Sequence, residues 1–305
     1  MLDIKLLRTN MPWVVQNLAR RGFVVDAAAF EQLESQRKIL QTRLEQLQNE
    51  RNVRSKAVGV AKSNGQDIRY LSKDLRDLGD VLKSVESDLS TVQADLGHFC
   101  LQLPNLLEDS VPDGQSESDN QVVRQWGVPR TFQFPIRDHV DLGAAQGRLD
   151  MEAGAKLSGA RFVVLRAGIA RLHRALAQWM LDLHTGHHGY EEVNIPYLVK
   201  LDALEGTGQL PKFKDDQFYS QGPGYHFGLI STAEIPLTNL VREQILDPAV
   251  LPLQMVAHSA CFRQEAGSYG KDMRGMFRVH QFEKVELVQI CKPEESAQRL
   301  EQLTH

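Results

Sequence analysis

The chain has 305 residues, long enough for two domains. Hydrophobic content of 42% with 24% charged residues fits a soluble folded protein and excludes a disordered one. A net charge of −4 excludes a generally basic protein, so any nucleic-acid contact must come from a local patch.

The N-terminus, Met1-Leu2-Asp3-Ile4-Lys5, lacks the apolar core of a signal peptide, and residues 1–25 read as a short lead-in. From Ala27 to Leu103 the pattern is helical. One row runs Leu75, Leu82, Leu89, Leu96, Leu103 and another Leu71, Leu78, Val85, Val92, Phe99, the a and d positions of a heptad seam. Leu33, Leu40, Leu44, Leu47 and Val58 continue the registers upstream, interrupted by Arg37, Arg51 and Arg54. Ser63-Asn64-Gly65-Gln66-Asp67 is a turn, so residues 1–103 form a domain built on an antiparallel helical hairpin. Between Arg37 and Lys62 there are seven basic residues against two acidic ones. A basic helix on an acidic protein suits a phosphate backbone. A dimerising or architectural coiled coil is the alternative.

Residues 104–135 form a polar linker with Pro112, Gly114, Gly127 and Pro129, and a second domain occupies 136–305. An amphipathic helix is expected from Arg161 to His184, with Leu165, Ile169, Leu172, Leu176, Trp179 and Leu183 on one face. A strand, Tyr190 to Pro196, follows. Asp202 to Phe213 reads as a loop, and Tyr225 to Ile230 as a strand ending in Ser231-Thr232-Ala233-Glu234. In extended backbone Thr232 and Glu234 point the same way and could bind an ammonium group and a small polar side chain. Equally, Thr232 could cap a helix over Ile235–Leu246, with Glu234 at its positive end. Three widely spaced cysteines, Cys100, Cys261 and Cys291, point to reduced thiols in a cytoplasmic protein and to no Cys-based zinc site. No apolar run approaches the roughly 18 residues of a membrane span.

The densest chemistry lies in Cys261-Phe262-Arg263-Gln264-Glu265-Ala266-Gly267-Ser268-Tyr269-Gly270 and in Met276-Phe277-Arg278-Val279-His280-Gln281-Phe282-Glu283-Lys284-Val285-Glu286. These read as two strands joined by a Gly-rich loop. Alternation puts Arg263 and Glu265 on one face of the first. It puts Arg278, Phe282 and Glu286 on one face of the second, with His280 and Lys284 between them. If the faces coincide, one surface carries two guanidiniums, two carboxylates and a ring. That set suits a nucleotide: arginine forks match phosphate oxygens, and a ring stacks on a base. An exposed charged hairpin is the plainer reading.

The run from Phe262 to Val288 resembles motif 2 of class II aminoacyl-tRNA synthetases, and in detail the bacterial-type seryl-tRNA synthetases. The shared pattern is FRxEAGS, then RG, then R-x-HQF-x-K-x-E. The resemblance implies an α+β fold, with an N-terminal antiparallel helical (coiled-coil) hairpin before an antiparallel-sheet catalytic domain. It implies serine–tRNA ligase activity: ATP and L-serine give seryl-adenylate and pyrophosphate, and the acyl group passes to tRNA(Ser), with tRNA(Sec) also expected. Arg263 is the implied catalytic residue. Thr232, Ala233, Glu234, Glu286 and Arg263 are implied for serine, and Arg263, Gln264, Glu265, Arg278, Val279 and Phe282 for ATP. Mg²⁺ is expected on the ATP phosphates, with no Cys or His ligand. The hairpin would hold the tRNA variable arm through Arg37, Lys38, Arg43, Arg51, Arg54 and Lys56, reading duplex shape and backbone. The helix–strand–proline run to Pro196 is similar to motif 1, which implies a homodimer. DNA and membranes are not expected partners.

Seryl-tRNA synthetases continue with more strands and a motif 3 arginine, which no residue up to His305 matches. The expectation is therefore a catalytic domain incomplete at its C-terminus. Two other readings stay open: a catalytically inactive tRNA-binding remnant of the family, and a coiled-coil interaction protein.

Overall fold

A computed structural model describes residues 2–144, 147–266 and 274–305. The chain forms two compact units, Met1–Gly127 and Val128–His305. Among the described residues no helix is long and apolar enough to cross a membrane.

The first unit is helical. Helix α1 (Ile4–Ala19) is followed by α2 (Ala27–Ser63) and α3 (Arg69–Gln102), which pack as the expected hairpin. Gly65 turns the chain at φ +70°, a conformation that glycine adopts without Cβ strain. Along the hairpin Leu44, Leu47, Leu78, Leu82 and Leu89 form the seam, with Leu40 and Val85 beside them. The lead-in is not a loose segment. It is α1, with a non-helical residue at Asn10 and Pro12 inside. It buries Leu7, Val14 and Leu18 against Phe30, Leu96, Cys100 and Leu103 at the base of the hairpin. That packing was hidden in sequence because Pro12 and the non-helical Asn10 interrupt the helical pattern.

Polar groups then fix this base. Buried Asn17 donates to the Leu107 carbonyl and accepts from its amide, both at 2.8 Å. Arg8 on α1 and Arg37 on α2 both donate to Glu34, whose side chain is 8% exposed. Arg54 pairs with Glu50 one turn away and with Asp74 across the hairpin. Two of the arginines that interrupt the heptads are therefore internal ion-pair partners.

The second unit carries α4 (His139–Ala144), β1 (Leu149–Asp150), α5 (Met151–Ser158), β2 (Val164–Leu165) and α6 (Ala167–Gly186). It continues with β3 (Glu191–Glu192), β4 (Leu198–Lys200), α7 (Leu201–Gly206), β5 (Tyr219–Gly222), β6 (Tyr225–Leu229) and α8 (Glu234–Asn239). Strands β7 (Leu253–Phe262) and β8 (Gln281–Ile290) and helix α9 (Ser296–Thr304) complete it. One sheet runs β3-β7-β8, with β3 parallel to β7 and β8 antiparallel to it. A second antiparallel sheet runs β4-β6-β5, and β1 pairs with β2. A core of Ile195, Leu204, Ile230, Ile235, Leu237, Met255 and Ala257 binds β7, β6, α7 and α8 together.

Several boundaries differ from expectation. The long helix starts at Ala167, because Val164 and Leu165 are taken by pairing with Asp150 and Leu149. Its apolar row does not enter this unit's core: Leu172 is 57% exposed, Leu176 44% and Trp179 59%. The strand after it shortens to Glu191–Glu192. The expected loop from Asp202 contains α7, whose Leu204 is fully buried. The helix after Glu234 stops at Asn239, whose side chain instead donates to the carbonyls of Ala203 and Ile235.

The Arg8–Glu34–Arg37 cluster gives a stability prediction. Burial alone would raise the Glu34 carboxyl, but hydrogen bonds from Arg8 and Arg37 hold it below the ordinary range. A carboxylate lowered on folding stabilises above its unfolded pKa, and that contribution is lost as pH falls through the lowered value. Glu34→Gln should cost the helical unit about 1–3 kcal/mol at pH 7. Urea unfolding followed by circular dichroism should show the two proteins converging as the pH is taken into the acid range.

Candidate active site

The site is built on the β7–β8 pairing, which runs in register from Leu253–Ile290 to Phe262–Gln281. Opposed residues share a face in an antiparallel pair. One face therefore carries Ala257 with Glu286, Ser259 with Lys284, and Cys261 with Phe282. The other carries His258 and Glu283, 2.7 Å apart, with His173 of α6 reaching Glu283 at 3.6 Å. Helix α6 thus covers the second face, and the first is left for the site.

Strand β7 ends at Phe262, so Arg263 and Glu265 lie beyond it. The simple alternation expected for them fails for a physical reason: Glu265 takes φ +54°, which no strand allows. Arg278 and Val279 likewise precede β8. The Gly-rich loop at 267–273 lies outside the described residues. Other bonds nevertheless return Arg263 to the face of Phe282. Arg263 donates its amide to the His280 carbonyl at 3.0 Å, and the His280 Nδ1 lies 3.0 Å from the Arg263 carbonyl. The Gln264 amide donates to the Asp216 carbonyl, and the Ala266 amide to the Asp216 carboxylate, each at 3.0 Å. The Arg263 guanidinium then lies over the Phe282 ring, 5.2 Å from its centroid, a cation–π contact. Arg278 pairs with Glu265 at 3.0 Å, and the Glu265 side chain is only 14% exposed. Gln264 is exposed, and Val279 is buried beneath the turn.

The second element arrives from β6. The Ile230 amide donates to the Tyr197 carbonyl, and the Ile230 carbonyl accepts from the Phe262 amide, both at 2.9 Å. Ser231-Thr232-Ala233 is thereby buried beside β8. Ala233 is helical (φ −67°, ψ −17°), so the extended backbone expected for Thr232 and Glu234 is absent. Thr232 turns inward and Glu234 is exposed. The helix N-cap is Ala233 and not Thr232, whose Oγ1 accepts from the Glu234 amide at 3.2 Å and donates to Glu286 at 2.9 Å.

Lys284 joins this group. Its ammonium donates to Thr232 Oγ1 at 2.8 Å and is paired with the Glu286 carboxylate. Its period-two parity with Phe282 and Glu286 was legible, but its partner Thr232, 52 positions away, was not. Asp216 was missed outright, since nothing local marks a loop aspartate as a clasp. Below the site, burial pushes the Cys261 thiol above its ordinary range, so it remains an uncharged wall.

Where the loop re-enters, Arg274 pairs with Asp138 at 2.8 Å and with Asp141, and the Met276 amide donates to His139 Nε2 at 2.9 Å. Gly275 permits this approach at φ +86°; a Cβ there would lie 2.0 Å from His139 Nε2.

The motif 2 residues thus sit on and just beyond one antiparallel strand pair, and the class they mark is that of the class II aminoacyl-tRNA synthetases. Residues 218–305 match the model of the tRNA synthetase class II core domain (G, H, P, S and T). Residues 1–107 match the seryl-tRNA synthetase N-terminal domain. The serine–tRNA ligase of Stutzerimonas stutzeri is 55% identical over 305 residues, covering 100% of this chain and 72% of that protein. That of Coxiella burnetii is 54% identical over 304 residues, with the same coverage. The crystal structure of seryl-tRNA synthetase from Pyrococcus horikoshii complexed with ATP superposes with a TM-score of 0.83 at 31% identity, over 100% of this chain and 72% of that one. The chain belongs to the seryl-tRNA synthetase family, the serine–tRNA ligases.

Gly275→Ala should release the loop base from α4. Left-handed backbone without glycine costs more than about 1 kcal/mol even before the clash. The Met276 amide should then exchange with deuterium about tenfold faster or more, by the same principle, in a native-state exchange experiment.

Proposed function

We propose that this surface activates L-serine with ATP and that the hairpin presents tRNA(Ser), with tRNA(Sec) as a second expected substrate. The observation that carries the reading is the convergence of Arg263, Phe282, Glu286 and Thr232 on one face of β7–β8 and the turn that packs on it. The serine carboxylate oxygen attacks the α-phosphorus, the bond to the bridging oxygen breaks, and pyrophosphate leaves. Such a displacement needs positioning and charge stabilisation more than a protein base.

In this reading the Arg263 fork holds the attacking carboxylate and the α-phosphate together and stabilises the charge that grows between them. Phe282 offers its ring to adenine. Arg278, already held by Glu265, faces the outer phosphates, and Gln264, Glu265 and Val279 form the turn that frames the nucleotide. Mg²⁺ enters as MgATP, bound through phosphate oxygens. Glu286 and Thr232 receive the serine ammonium, with Ala233 and the exposed Glu234 at the mouth of that pocket. The exposed apolar row of α6, with Trp179 at its centre, supports a homodimer through this helix. The domain division at 103 and 135 and a cytoplasmic setting complete the proposal.

The hairpin cations divide into two kinds. Arg37 and Arg54 are spent on Glu34, Glu50 and Asp74. Lys38, Arg43, Arg51 and Lys56 are exposed and make no ion pair among the described residues. These four are the proposed backbone readers.

Arg263→Ala should lower serine-dependent ATP–pyrophosphate exchange by on the order of 10²-fold or more; exchange at the parent rate would remove Arg263 from its role. For RNA, each alanine at Lys38, Arg43, Arg51 or Lys56 that removes a phosphate contact should reduce the slope of log K against log[salt] by about 0.7–0.9. Arg37→Ala and Arg54→Ala should instead lower helix stability and leave that slope unchanged. Filter binding across a salt series, paired with thermal unfolding, separates the two groups.

A further inference from the structure

The Lys284 ammonium stands on the same two acceptors that the proposed serine pocket offers its substrate. It donates to Thr232 Oγ1 at 2.8 Å and is paired with Oε2 of Glu286, the oxygen that also receives the Thr232 hydroxyl at 2.9 Å. A hydroxyl has one proton and two lone pairs. Lys284 and the Glu234 amide take both lone pairs of Thr232, so its proton is committed to Glu286. Thr232 Oγ1 is thus fully engaged and Oε2 of Glu286 already faces two donors, so a second ammonium that is to reach Thr232 must displace Lys284 or the Glu234 amide.

We propose that Lys284 is a tethered stand-in for the substrate ammonium, exchanged out of the pocket when the amino acid binds. Two features make the exchange feasible. The Lys284 side chain is 31% exposed, so its head can return to water while its flexible stem stays on the strand. The donor it yields is replaced in kind by the incoming ammonium, so neither Glu286 nor Thr232 is left with an unsatisfied position. Until then, Lys284 keeps a partly buried carboxylate partnered and the Thr232 hydroxyl turned in its working direction. The pocket is preformed, and an ammonium that takes the place of Lys284 on Thr232 and Oε2 breaks one internal ion pair. Lys284 thereby acts as a positioning residue that sets serine affinity through Glu286.

This inference rests on the assignment of Glu286 and Thr232 to the serine ammonium, and the test distinguishes the failure of one from failure of the other. Binding of L-serine to the full chain is measured by calorimetry for the parent, Lys284→Met, which keeps the apolar stem, and Lys284→Arg, which keeps a competing cation. A half-exposed ion pair is worth up to about 1 kcal/mol, a factor of about five. The stand-in predicts that Lys284→Met binds serine about fivefold more tightly than the parent, and that Lys284→Arg does not. Amine labelling gives a second readout that a merely structural lysine would not move. Saturating serine should raise the rate at which Lys284 is acylated, read by peptide mass spectrometry. Serine that binds Lys284→Met equally or more weakly, or that protects Lys284 from acylation, overturns the stand-in and leaves the pocket assignment intact. Failure of serine to bind any of the three proteins overturns the pocket assignment, and the stand-in with it.

Discussion

Ten consecutive antiparallel pairs between β7 and β8 are the constraint on which the second unit depends. Their register decides which residues face the site and which face α6. A shift of β8 by one residue would send Phe282, Lys284 and Glu286 to the helix and bring Glu283 to the site. Long strands set that register through buried residues on both sides: Val256, Ala257, Ser259 and Cys261 are fully buried. Fully buried Ser259 and Cys261 are small side chains on the site face, leaving room above them for Arg263 and Phe282.

The rest of the site is tied to that ladder and to its flanking residues by a few backbone and side-chain bonds. Phe262 holds Ile230 and thereby the Thr232 turn; His280 holds Arg263; Asp216 holds Gln264 and Ala266. This arrangement keeps irregular backbone, which strands alone cannot place, within reach of a rigid frame. It also explains how Arg263 reaches the Phe282 ring although the chain has left the strand. Glu265 stands in left-handed backbone, and its carboxylate is held by Arg278. Local strain of this kind persists when several neighbours fix the same geometry.

Charge is handled differently in the two units. The chain is acidic overall, yet the hairpin concentrates cations on α2. Some neutralise carboxylates that the helices would otherwise bury alone, as Arg8 and Arg37 do around Glu34. Others remain in water, where they can exchange counterions for phosphates. In the site, cations and carboxylates are paired before any substrate arrives: Arg278 with Glu265, and Lys284 with Glu286. Such pairing lowers the cost of keeping charged groups partly out of water.

The sequence by itself determined the hairpin, since a heptad seam is a local periodicity that two helices can satisfy only against each other. It also determined the parity of Phe282, Lys284 and Glu286, because alternation is a property of any strand. The run FRxEAGS, RG and R-x-HQF-x-K-x-E carried the resemblance to the family, and with it the expected fold. Tertiary structure alone decided the rest. Residues 4–19 became a helix because the hairpin base supplied an apolar surface for Leu7, Val14 and Leu18. The helix after Glu234 ended early because Asn239 bonded to α7. The apolar row of α6 looked like core but remained outside it, because sequence periodicity records an apolar face and not what covers it. Arg54 stood beside Arg43 and Arg51 in the same run of cations, and only the hairpin packing gave it Asp74 as a partner. Lys284 acquired its partner for the same reason: a hydrogen bond spanning 52 residues is a matter of packing, and no window of sequence contains it.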